Sequence, residues 1–402
     1  MRIQKMLLAA IIVIVLYQWL MPEDAAAIPA FARRYKLSCS TCHAPIPKLK
    51  PYGDEFAGNG FIIKENENKR DYVSAGDDLL WLNKTFPIGV RFDAYALYDQ
   101  DQPVERDLQT PWGLKLLSGG TLYKNIGYYF YFYMSERGEV AGIEDAYIHF
   151  DNVFNTPLDI LVGQFQTSDP LMKRELRLTF EDYAFYKTKI GESRTTLTYD
   201  RGVMLMYGIE KTGTDIIGLI VNGNGKDEAG EDTKFDSDNF KNFGVRLSQG
   251  IGEFMSIGGY FYSGKEAEIL SSQTASGDSI GLRRNEITYW GPDVNLGLGP
   301  LEFTGQYLVR KDTNPHFAAD AKEVESSGII AELIFAPQLD RSRFYVTALY
   351  NKIESDTKAA EYHTATLSGT YLIARNLRLM LEYRRDLKAD KNRLTFGLVS
   401  GY

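Results

Sequence analysis

Two cysteines and a histidine lie within five residues of one another near the start of this 402-residue chain. The run Cys39-Ser40-Thr41-Cys42-His43 contains both cysteines of the sequence. Two thiols at this spacing, followed directly by a histidine, are typical of covalent haem c attachment. Each thiol would form a thioether to a haem vinyl group, and His43 would ligate the iron. The run therefore predicts one haem c bound by Cys39, Cys42 and His43, with electron transfer as its chemistry.

Paired cysteines also occur in disulfides, in thioredoxin-like redox pairs and in zinc sites. A zinc site would need further ligands nearby, and a thioredoxin-like pair would need a βαβ setting. Neither of these two alternatives explains a histidine directly after the second cysteine. Haem attachment is the interpretation that uses all three residues.

The first 27 residues have the composition of a secretory signal peptide. Arg2 and Lys5 precede an apolar stretch, Leu7 to Leu20, and Ala25-Ala26-Ala27 supplies small residues for cleavage. An uncleaved membrane anchor is the alternative, although the apolar core is shorter than the roughly 20 residues of a spanning helix. We predict that residues 1–27 are a signal peptide and that the chain is exported.

From about Phe86 onward, apolar and polar residues alternate in segments of about ten residues, which is typical of a transmembrane β-barrel. In the first segment Ile88 and Val90 share one face, whereas Arg91 and Asp93 share the other. Aromatic residues make up 13% of the chain, and barrels use them as girdles at the membrane interfaces. About sixteen segments can be counted, centred near residues 93, 116, 130, 146, 162, 205, 218, 244, 257, 289, 305, 330, 346, 367, 382 and 397.

The connections between these segments alternate in length. Those after odd-numbered segments are mostly long and polar, as at 222–238, 265–279 and 311–326, whereas those after even-numbered segments are mostly short, as at 249–252. Long external loops and short periplasmic turns are typical of outer-membrane barrels. We therefore predict that residues 84–402 form an all-β, outer-membrane barrel of about 16 strands, with a soluble β-sandwich as the alternative.

Residues 28–83 lie between the signal peptide and the barrel and are predicted to be a short helical cytochrome c segment carrying one haem. Ala32 to His43 is expected to form one helix, and Pro47 is expected to begin a second that stops at Gly58-Asn59-Gly60. Such a segment is too short for a core of its own. We expect the haem and the barrel lumen to support it, so that it lies in the periplasm or within the lumen.

A second axial ligand, if it is a side chain, would have to come from the barrel, because no methionine lies between Ser40 and Asn83. The alternation turns His149 and Met380 towards the lumen, and both are candidate distal ligands, His149 before Met380. The alternatives are a lumen histidine bonded to a neighbour and a methionine that only fills space. His316 lies in a predicted outer loop and His363 near the outer rim. A five-coordinate iron or a water ligand also stays open.

Other charged patterns point away from a second site. The acidic residues of the stretch 227–238 could attract cations, but an ordinary solvated loop explains them as well, since their spacing matches no calcium loop. The formal net charge of −8 argues against nucleic acid as a partner.

The N-terminal motifs resemble those of the fused monohaem c-type cytochrome-porins. The similar stretches are Ile28-Pro29-Ala30-Phe31-Ala32-Arg33, Cys39 to His43, Pro47-Lys48-Leu49, and then Gly53, Phe56 and Gly60-Phe61. The resemblance implies an outer-membrane barrel plugged by one haem domain, and the best-known members of that family are iron(II) oxidases. Where the iron-oxidising members carry Gln-Thr-Gly, this chain has Arg34-Tyr35-Lys36. Electron conduction is therefore implied, with iron(II) as one candidate donor.

Together, these patterns predict an outer-membrane electron conduit. If it is an enzyme, it would be an oxidoreductase of the iron(II) oxidase type. It would pass electrons between an extracellular redox substrate and a periplasmic c-type cytochrome or other electron carrier. Outer-membrane lipid would surround the barrel. The alternative is a solute porin in which the haem-bearing segment is a structural plug or a redox gate.

Overall fold

The computed structural model describes residues 30–35, 37–61, 63, 72–73, 82–83, 86–230, 233–236, 238–274 and 277–401. The predicted signal peptide, residues 1–27, lies outside these residues. Three short helices come first: α1 (Ala30–Tyr35), α2 (Cys39–Cys42) and α3 (Pro51–Gly58). A two-residue pair, β1 (Tyr72–Val73) with β2 (Leu82–Asn83), follows them. No helix among the described residues is long and apolar enough to cross a membrane.

Sixteen further strands form a closed barrel in which every neighbouring pair is antiparallel. The strands are β3 (Ile88–Asp99), β4 (Arg106–Tyr123), β5 (Ile126–Glu136), β6 (Gly142–Phe150), β7 (Leu158–Gln166), β8 (Tyr199–Ile209), β9 (Thr214–Val221), β10 (Asn242–Ile251), β11 (Met255–Thr274), β12 (Gly277–Leu298), β13 (Leu301–Asp312), β14 (Val324–Phe335), β15 (Phe344–Ser355), β16 (Tyr362–Ala374), β17 (Leu377–Asp386) and β18 (Lys391–Gly401). The barrel closes where β18 pairs with β3. The prediction of an all-β barrel of about 16 strands is confirmed, and each predicted centre falls inside one strand.

The alternation that predicted the strands also sets which side chains face the lumen. In β17, Leu381 is 55% exposed, whereas its neighbour Glu382 is fully buried. In β3, Asp93 and Tyr95 are buried, as predicted, and Ile88 is exposed. Successive side chains of a strand point to opposite faces, so the barrel has an apolar outer surface and a polar, tyrosine-rich interior.

The connections at one end of the barrel are short, and we call this the short-turn end. It comprises turns 124–125, 151–157, 210–213, 252–254, 299–300, 336–343 and 375–376. The connections at the opposite end, the long-loop end, reach 32 residues at 167–198, a number set by the ends of β7 and β8. One predicted long loop, 265–279, is wrong. Cross-strand pairing of β11 with β12 continues to Thr274 and Gly277, because the backbone groups of polar residues can pair across strands as well as those of apolar ones.

The connection 167–198, which we call the inner loop, folds back into the lumen instead of extending outwards. The Glu382 carboxylate accepts hydrogen bonds from the backbone N–H groups of Phe180 and Glu181, at 2.6 and 3.0 Å. Closer to the long-loop end, the buried Arg310 donates to the carbonyl oxygens of Thr188 and Thr195, at 3.1 and 3.0 Å. Unpaired backbone groups in a buried loop would be costly, so these wall side chains hold the inner loop inside the barrel.

Candidate haem site

The two cysteines lie on a single helical turn. In α2 the Ser38 side chain caps the helix by accepting from the Ser40 N–H at 3.3 Å, and the His43 N–H donates to the Cys39 carbonyl at 2.9 Å. Cys39 and Cys42 are free, half-buried thiols. Burial raises the pKa of both thiols, although the positive charges of Arg375 and Lys50 act in the opposite direction on Cys39 and Cys42, respectively. Both cysteines are therefore neutral thiols at neutral pH.

Backbone groups of the loop after α2 fix the orientation of His43. Its Nδ1–H donates to the Pro47 carbonyl at 2.7 Å, and the Lys48 backbone also hydrogen-bonds to the ring. Burial lowers the pKa of His43, which favours the neutral imidazole whose free nitrogen can bind a metal. A backbone carbonyl on the second ring nitrogen is the usual support for a ligating histidine. The residues Cys39, Cys42 and His43 therefore fit a haem c.

Two expectations about the helices are wrong in detail. Residues 30–43 form two helices, α1 and α2, with Leu37 and Ser38 between them. The second predicted helix begins at Pro51, because a helix begun at Pro47 would need Pro51 to donate to the Pro47 carbonyl. Proline has no N–H to donate, and that carbonyl accepts from His43 instead. The predicted stop after Gly58 is confirmed.

The chain between α2 and α3 is a closed loop. The Lys50 N–H donates to the Cys42 carbonyl at 2.8 Å, and the Ala44 N–H donates to the Lys48 carbonyl at 3.1 Å. α3 then passes directly against the cysteine turn at Gly53, where a Cβ would lie 2.3 Å from the Cys42 carbonyl oxygen. Only glycine permits this approach, so Gly53 determines how closely α3 packs against the cysteine turn.

The N-terminal segment, residues 30–61, is seated in the short-turn end of the barrel. The Ile46 carbonyl accepts from the Tyr345 hydroxyl at 2.6 Å and from Arg378 Nη1 at 2.9 Å. Lys48 Nζ lies 2.5 Å from a carboxylate oxygen of Glu302. These partners come from β13, β15 and β17, so one wall of the barrel holds the loop that carries the Pro47 carbonyl.

Aromatic rings hold the opposite side of the segment. Phe61 stacks on Phe31, with ring centroids 4.8 Å apart, and on the wall residue Tyr129 at 5.3 Å. The backbones of Gly60 and Gly127 meet here, and a Cβ on Gly127 would lie 2.5 Å from the Gly60 carbonyl oxygen. Because β5 and the strands β13 to β17 grip the segment from different sides, it spans the mouth of the barrel.

The two candidate distal ligands both face the lumen. His149 is 2% exposed; it packs against Gly60, and its Nε2 lies 3.9 Å from a carboxylate oxygen of Asp159 without a hydrogen-bond partner in the described part of the chain. Gly60 follows the end of α3, whereas Cys42 packs near its start. Met380 lies in a buried cluster with Tyr95 and the aromatic residues of β4 and β5. The structure thus brings His149 to the segment, and its ligation to iron stays a prediction.

The other two histidines lie away from the segment. His316 is exposed in the connection 313–323, where its ring approaches Gly191 of the inner loop. His363 is at the start of β16 and its Nε2 is 2.9 Å from the Tyr350 hydroxyl. Among the described residues, no group of three or more His, Cys, Asp or Glu side chains is arranged to hold a bare metal ion.

Sequence reasoning did not identify the wall residues that hold the segment. Tyr345 and Arg378 face the lumen by the same alternation that was used elsewhere, so a signal for their orientation existed. The inner loop also had a signal, because the predicted centres at residues 162 and 205 leave an unusually long gap. Neither signal could name the contact partners, which are far away along the chain.

A cavity of about 570 Å³ lies beside the segment. Lys48 and Asp54 line it on the segment side, Asp169 and Lys173 on the inner-loop side, and Arg246 on the barrel wall. The Lys173 ammonium donates to the Asp54 carboxylate at 3.0 Å, which joins the inner loop to α3. The lumen at this end is therefore divided into a filled half and a half that contains water-accessible space.

Comparisons with known proteins support the architecture. No family model and no curated protein match the sequence. The fold is similar to that of an anion-selective porin from Comamonas acidovorans (10% identity over 79% of this chain and 99% of that chain, TM-score 0.55) and of an OmpT loop-deletion mutant from Vibrio cholerae (11%, 79% and 99%, 0.54). It is also similar to the outer-membrane channel DcaP of Acinetobacter baumannii (15%, 78% and 96%, 0.51). At these identities the likeness establishes the fold: a sixteen-stranded barrel like those of outer-membrane proteins.

Proposed function

We propose that this protein is an outer-membrane electron conduit with one covalently bound haem c in the periplasmic mouth of its barrel. The observation that carries the proposal is the arrangement of Cys39, Cys42 and His43. Two free thiols lie on one helical turn, and the Nδ1–H of the adjacent imidazole is held by the Pro47 carbonyl. A disulfide gives no role to that orientation of His43, and among the described residues no group of three or more His, Cys, Asp or Glu side chains is arranged to hold a zinc ion.

The chain's own residues have separate tasks in this proposal. Cys39 and Cys42 would hold the haem covalently, and His43 would be its proximal ligand. A bound haem c supplies a one-electron redox centre. The Pro47 carbonyl fixes the tautomer and ring orientation of His43. Tyr345 and Arg378 bind the neighbouring Ile46 carbonyl and so hold this loop against the barrel wall.

The inner loop and the N-terminal segment obstruct the lumen, which favours conduction of electrons over free passage of solutes. The inner loop crosses the interior, and the N-terminal segment closes the mouth from two sides. The lumen side chains and inner loop place polar groups around the haem-binding segment, and such groups tune a haem's reduction potential. The apolar outer surface fits a bilayer, and the short turns would face the periplasm as in other outer-membrane barrels.

The proposed partners follow from this placement. At the short-turn end, electrons would be exchanged with a periplasmic c-type cytochrome or other electron carrier. At the long-loop end, the donor or acceptor would be an extracellular redox substrate, for which the resemblance to cytochrome-porins offers iron(II). The protein would then act as an oxidoreductase of the iron(II) oxidase type.

A solute channel with the haem-bearing segment as a plug or redox gate is the second candidate. The fold shared with porins bears on this candidate more directly than on electron transfer. The cavity of about 570 Å³ beside α3 is the specific observation in its favour, because it would leave space for a passage if the inner loop moved.

Liposome reconstitution separates the two candidates. Protein in sealed liposomes that contain a redox dye is given an external reductant that does not cross the bilayer. We expect dye reduction with the wild type and none with the double variant Cys39→Ala and Cys42→Ala. Neither protein should let an entrapped small sugar leak out of the liposomes. If a haem-loaded wild type never reduces the dye but releases the sugar, the channel candidate replaces the conduit.

A further inference from the structure

A cluster of cationic side chains lies beside the cysteine turn at the short-turn end. We call Lys50, Arg341, Arg343 and Arg375 the cationic patch. Lys50 Nζ donates to the Ser40 carbonyl at 3.0 Å and also contacts Asp340. Arg341 and Arg343 are exposed in the turn 336–343. The Arg343 carbonyl accepts a hydrogen bond from the Leu372 N–H of β16 at 2.7 Å.

The patch is continuous with the haem-binding turn. Arg375 Nη1 lies 3.5 Å from the Ser342 carbonyl, so the turns 336–343 and 375–376 are in contact. Arg375 is also close enough to Cys39 for its positive charge to act on that thiol. The three arginines of the patch have no ion-pair partner among the residues that the structure describes. Their charge is therefore available to a partner that approaches the mouth of the barrel.

The sign of this charge is opposite to that of the whole chain. The turns 336–343 and 375–376 carry three arginines against one aspartate, a net charge of +2, and Lys50 makes it +3. Asp54 and Glu55 are exposed on α3, and Lys173 is paired with Asp54, so these three residues together reduce the local balance to +2. The remaining short turns carry Lys124 and Lys211 against three carboxylates, those of Asp151, Glu210 and Glu253, a net charge of −1. The chain as a whole has a formal charge of −8.

Two large apolar side chains are exposed beside these charges. Leu339, in the turn 336–343, is 55% exposed, and Tyr52, at the start of α3, is 41% exposed. A small apolar area together with charged side chains is suited to brief association, which is typical of redox encounters. Charges around it would guide the approach of an oppositely charged protein and speed its association.

We infer that the cationic patch, with Leu339 and Tyr52, docks a small acidic electron-carrier protein of the periplasm. The inference rests on the proposed function, because it places the partner next to the cysteines that would hold the haem. Anionic lipid headgroups are the competing ligand of the arginines. A protein is favoured because Lys50 and Tyr52 belong to the segment within the barrel mouth, which faces the aqueous phase.

The test measures binding instead of electron transfer. The holoprotein is held in phosphatidylcholine nanodiscs, and two soluble haem proteins of opposite charge serve as probes: the acidic soluble domain of cytochrome b5 and the basic mitochondrial cytochrome c. Two double variants reverse the same number of charges at the same end of the barrel. Arg341→Glu with Arg343→Glu changes the patch, and Lys124→Glu with Lys211→Glu is the matched control.

We expect the acidic probe to bind the wild type more tightly than the basic probe does, despite the negative charge of the chain. The patch variant should bind the acidic probe about tenfold more weakly, the control variant should differ by less than about twofold, and added salt should weaken binding. Tighter binding of the basic probe, or equal losses in both variants, would overturn the inference. The inference would also be overturned if the patch variant bound the acidic probe as tightly as the wild type but lost co-purified anionic lipid, because the arginines would then bind lipid.

Haem content per chain is measured separately by its alkaline pyridine spectrum. A chain without haem that still binds the acidic probe through the patch would remove the proposed function and retain the docking surface. If the chain carries haem and the patch variant binds the acidic probe as well as the wild type does, the docking surface is removed and the proposed function is retained.

Discussion

Gly53 controls how closely α3 packs against the cysteine turn, Cys39–Cys42. A side chain there would meet the Cys42 carbonyl, which is part of the backbone and cannot turn away. The same helix contains Gly58, where an added Cβ would meet nothing within 4 Å. The two glycines therefore separate the effect of close packing from that of helix propensity.

We expect Gly53→Ala to push α3 away from α2 and lower the free energy of unfolding by about 1–3 kcal/mol. The yield of covalently bound haem, measured by haem stain per barrel on a denaturing gel, should fall with it. Gly58→Ala should instead stabilise α3 by about 0.5–1 kcal/mol, since alanine favours helix over glycine. Equal haem yields in the two variants would contradict this account.

Asp169 gives the inner loop a pH dependence. Burial raises the pKa of Asp169 to about 6, and the nearby Glu175 carboxylate acts in the same direction. In the unfolded chain the pKa of an aspartate is about 3.9. Folding therefore favours the protonated carboxyl, and the ionised form lowers the stability of the folded state above about pH 6. As the pH falls from 6 to 4, the folded state binds the proton first and regains this stability.

Asp169→Asn is expected to raise the free energy of unfolding by about 3 kcal/mol at pH 8, because it removes the ionised form. The gain should shrink at pH 5 and disappear near pH 4. Thermal unfolding in detergent micelles at these pH values checks the trend. Asp227→Asn, in an exposed loop, is the control, and a gain of the same size at every pH in Asp169→Asn would refute the role of its proton.

At the scale of elements, the inner loop is held by its contacts with the barrel wall. Glu382 of β17 accepts two backbone N–H groups of the loop, and Arg393 of β18 donates to Glu382 at 3.2 Å and to Glu181 at 2.6 Å. Each of these groups is buried. Breaking such a network leaves a buried charge without its partner, which is strongly destabilising.

Glu382→Ala should release the inner loop near Phe180 and cost about 3 kcal/mol of stability. We expect faster proteolysis within residues 167–198 and a larger ion conductance in planar bilayers. Glu354→Ala removes an exposed carboxylate that pairs with Lys352 at 2.7 Å and serves as the control. Wild-type conductance and proteolysis in the Glu382 variant would mean that the loop is held elsewhere.

The strands could be predicted from the sequence, whereas the position of the inner loop inside the lumen could not. Alternation is local, so it located β17 and the inward position of Glu382 without knowledge of any other strand. The bond from the Phe180 N–H to Glu382 joins residues 202 positions apart, and no local pattern specifies such a pair. The CxxCH motif at Cys39–His43 is likewise local. The hydrogen bond from His43 to the Pro47 carbonyl is not, because that carbonyl is free to accept only when Pro51 prevents a helix from starting at Pro47.

At the scale of the whole molecule, the N-terminal segment is a plug gripped by two walls. On one side the contact is between two glycine backbones, Gly60 and Gly127, with His149 beside them. On the other, Tyr345 and Arg378 hold the Ile46 carbonyl. Displacing the segment from either wall should open the mouth of the barrel.

Gly127→Ala is expected to displace the end of the segment, since the added Cβ would lie 2.5 Å from the Gly60 carbonyl oxygen. Ion conductance should increase and the cysteines of haem-free protein should react faster with a thiol reagent. Gly369→Ala in β16 is the matched control, because nothing lies within 4 Å of a Cβ there. Equal conductance in both variants would show that this contact does not close the barrel.

The Ile46 contacts have a consequence for the order of folding. Their partners follow 299 and 332 residues later in the chain, so they belong to the last strands to leave the ribosome. Contacts of such sequence separation cannot form until the intervening chain has been brought together. The segment made first is therefore locked in place last. We therefore expect the cysteine turn to stay accessible to other proteins until β15 and β17 are in place.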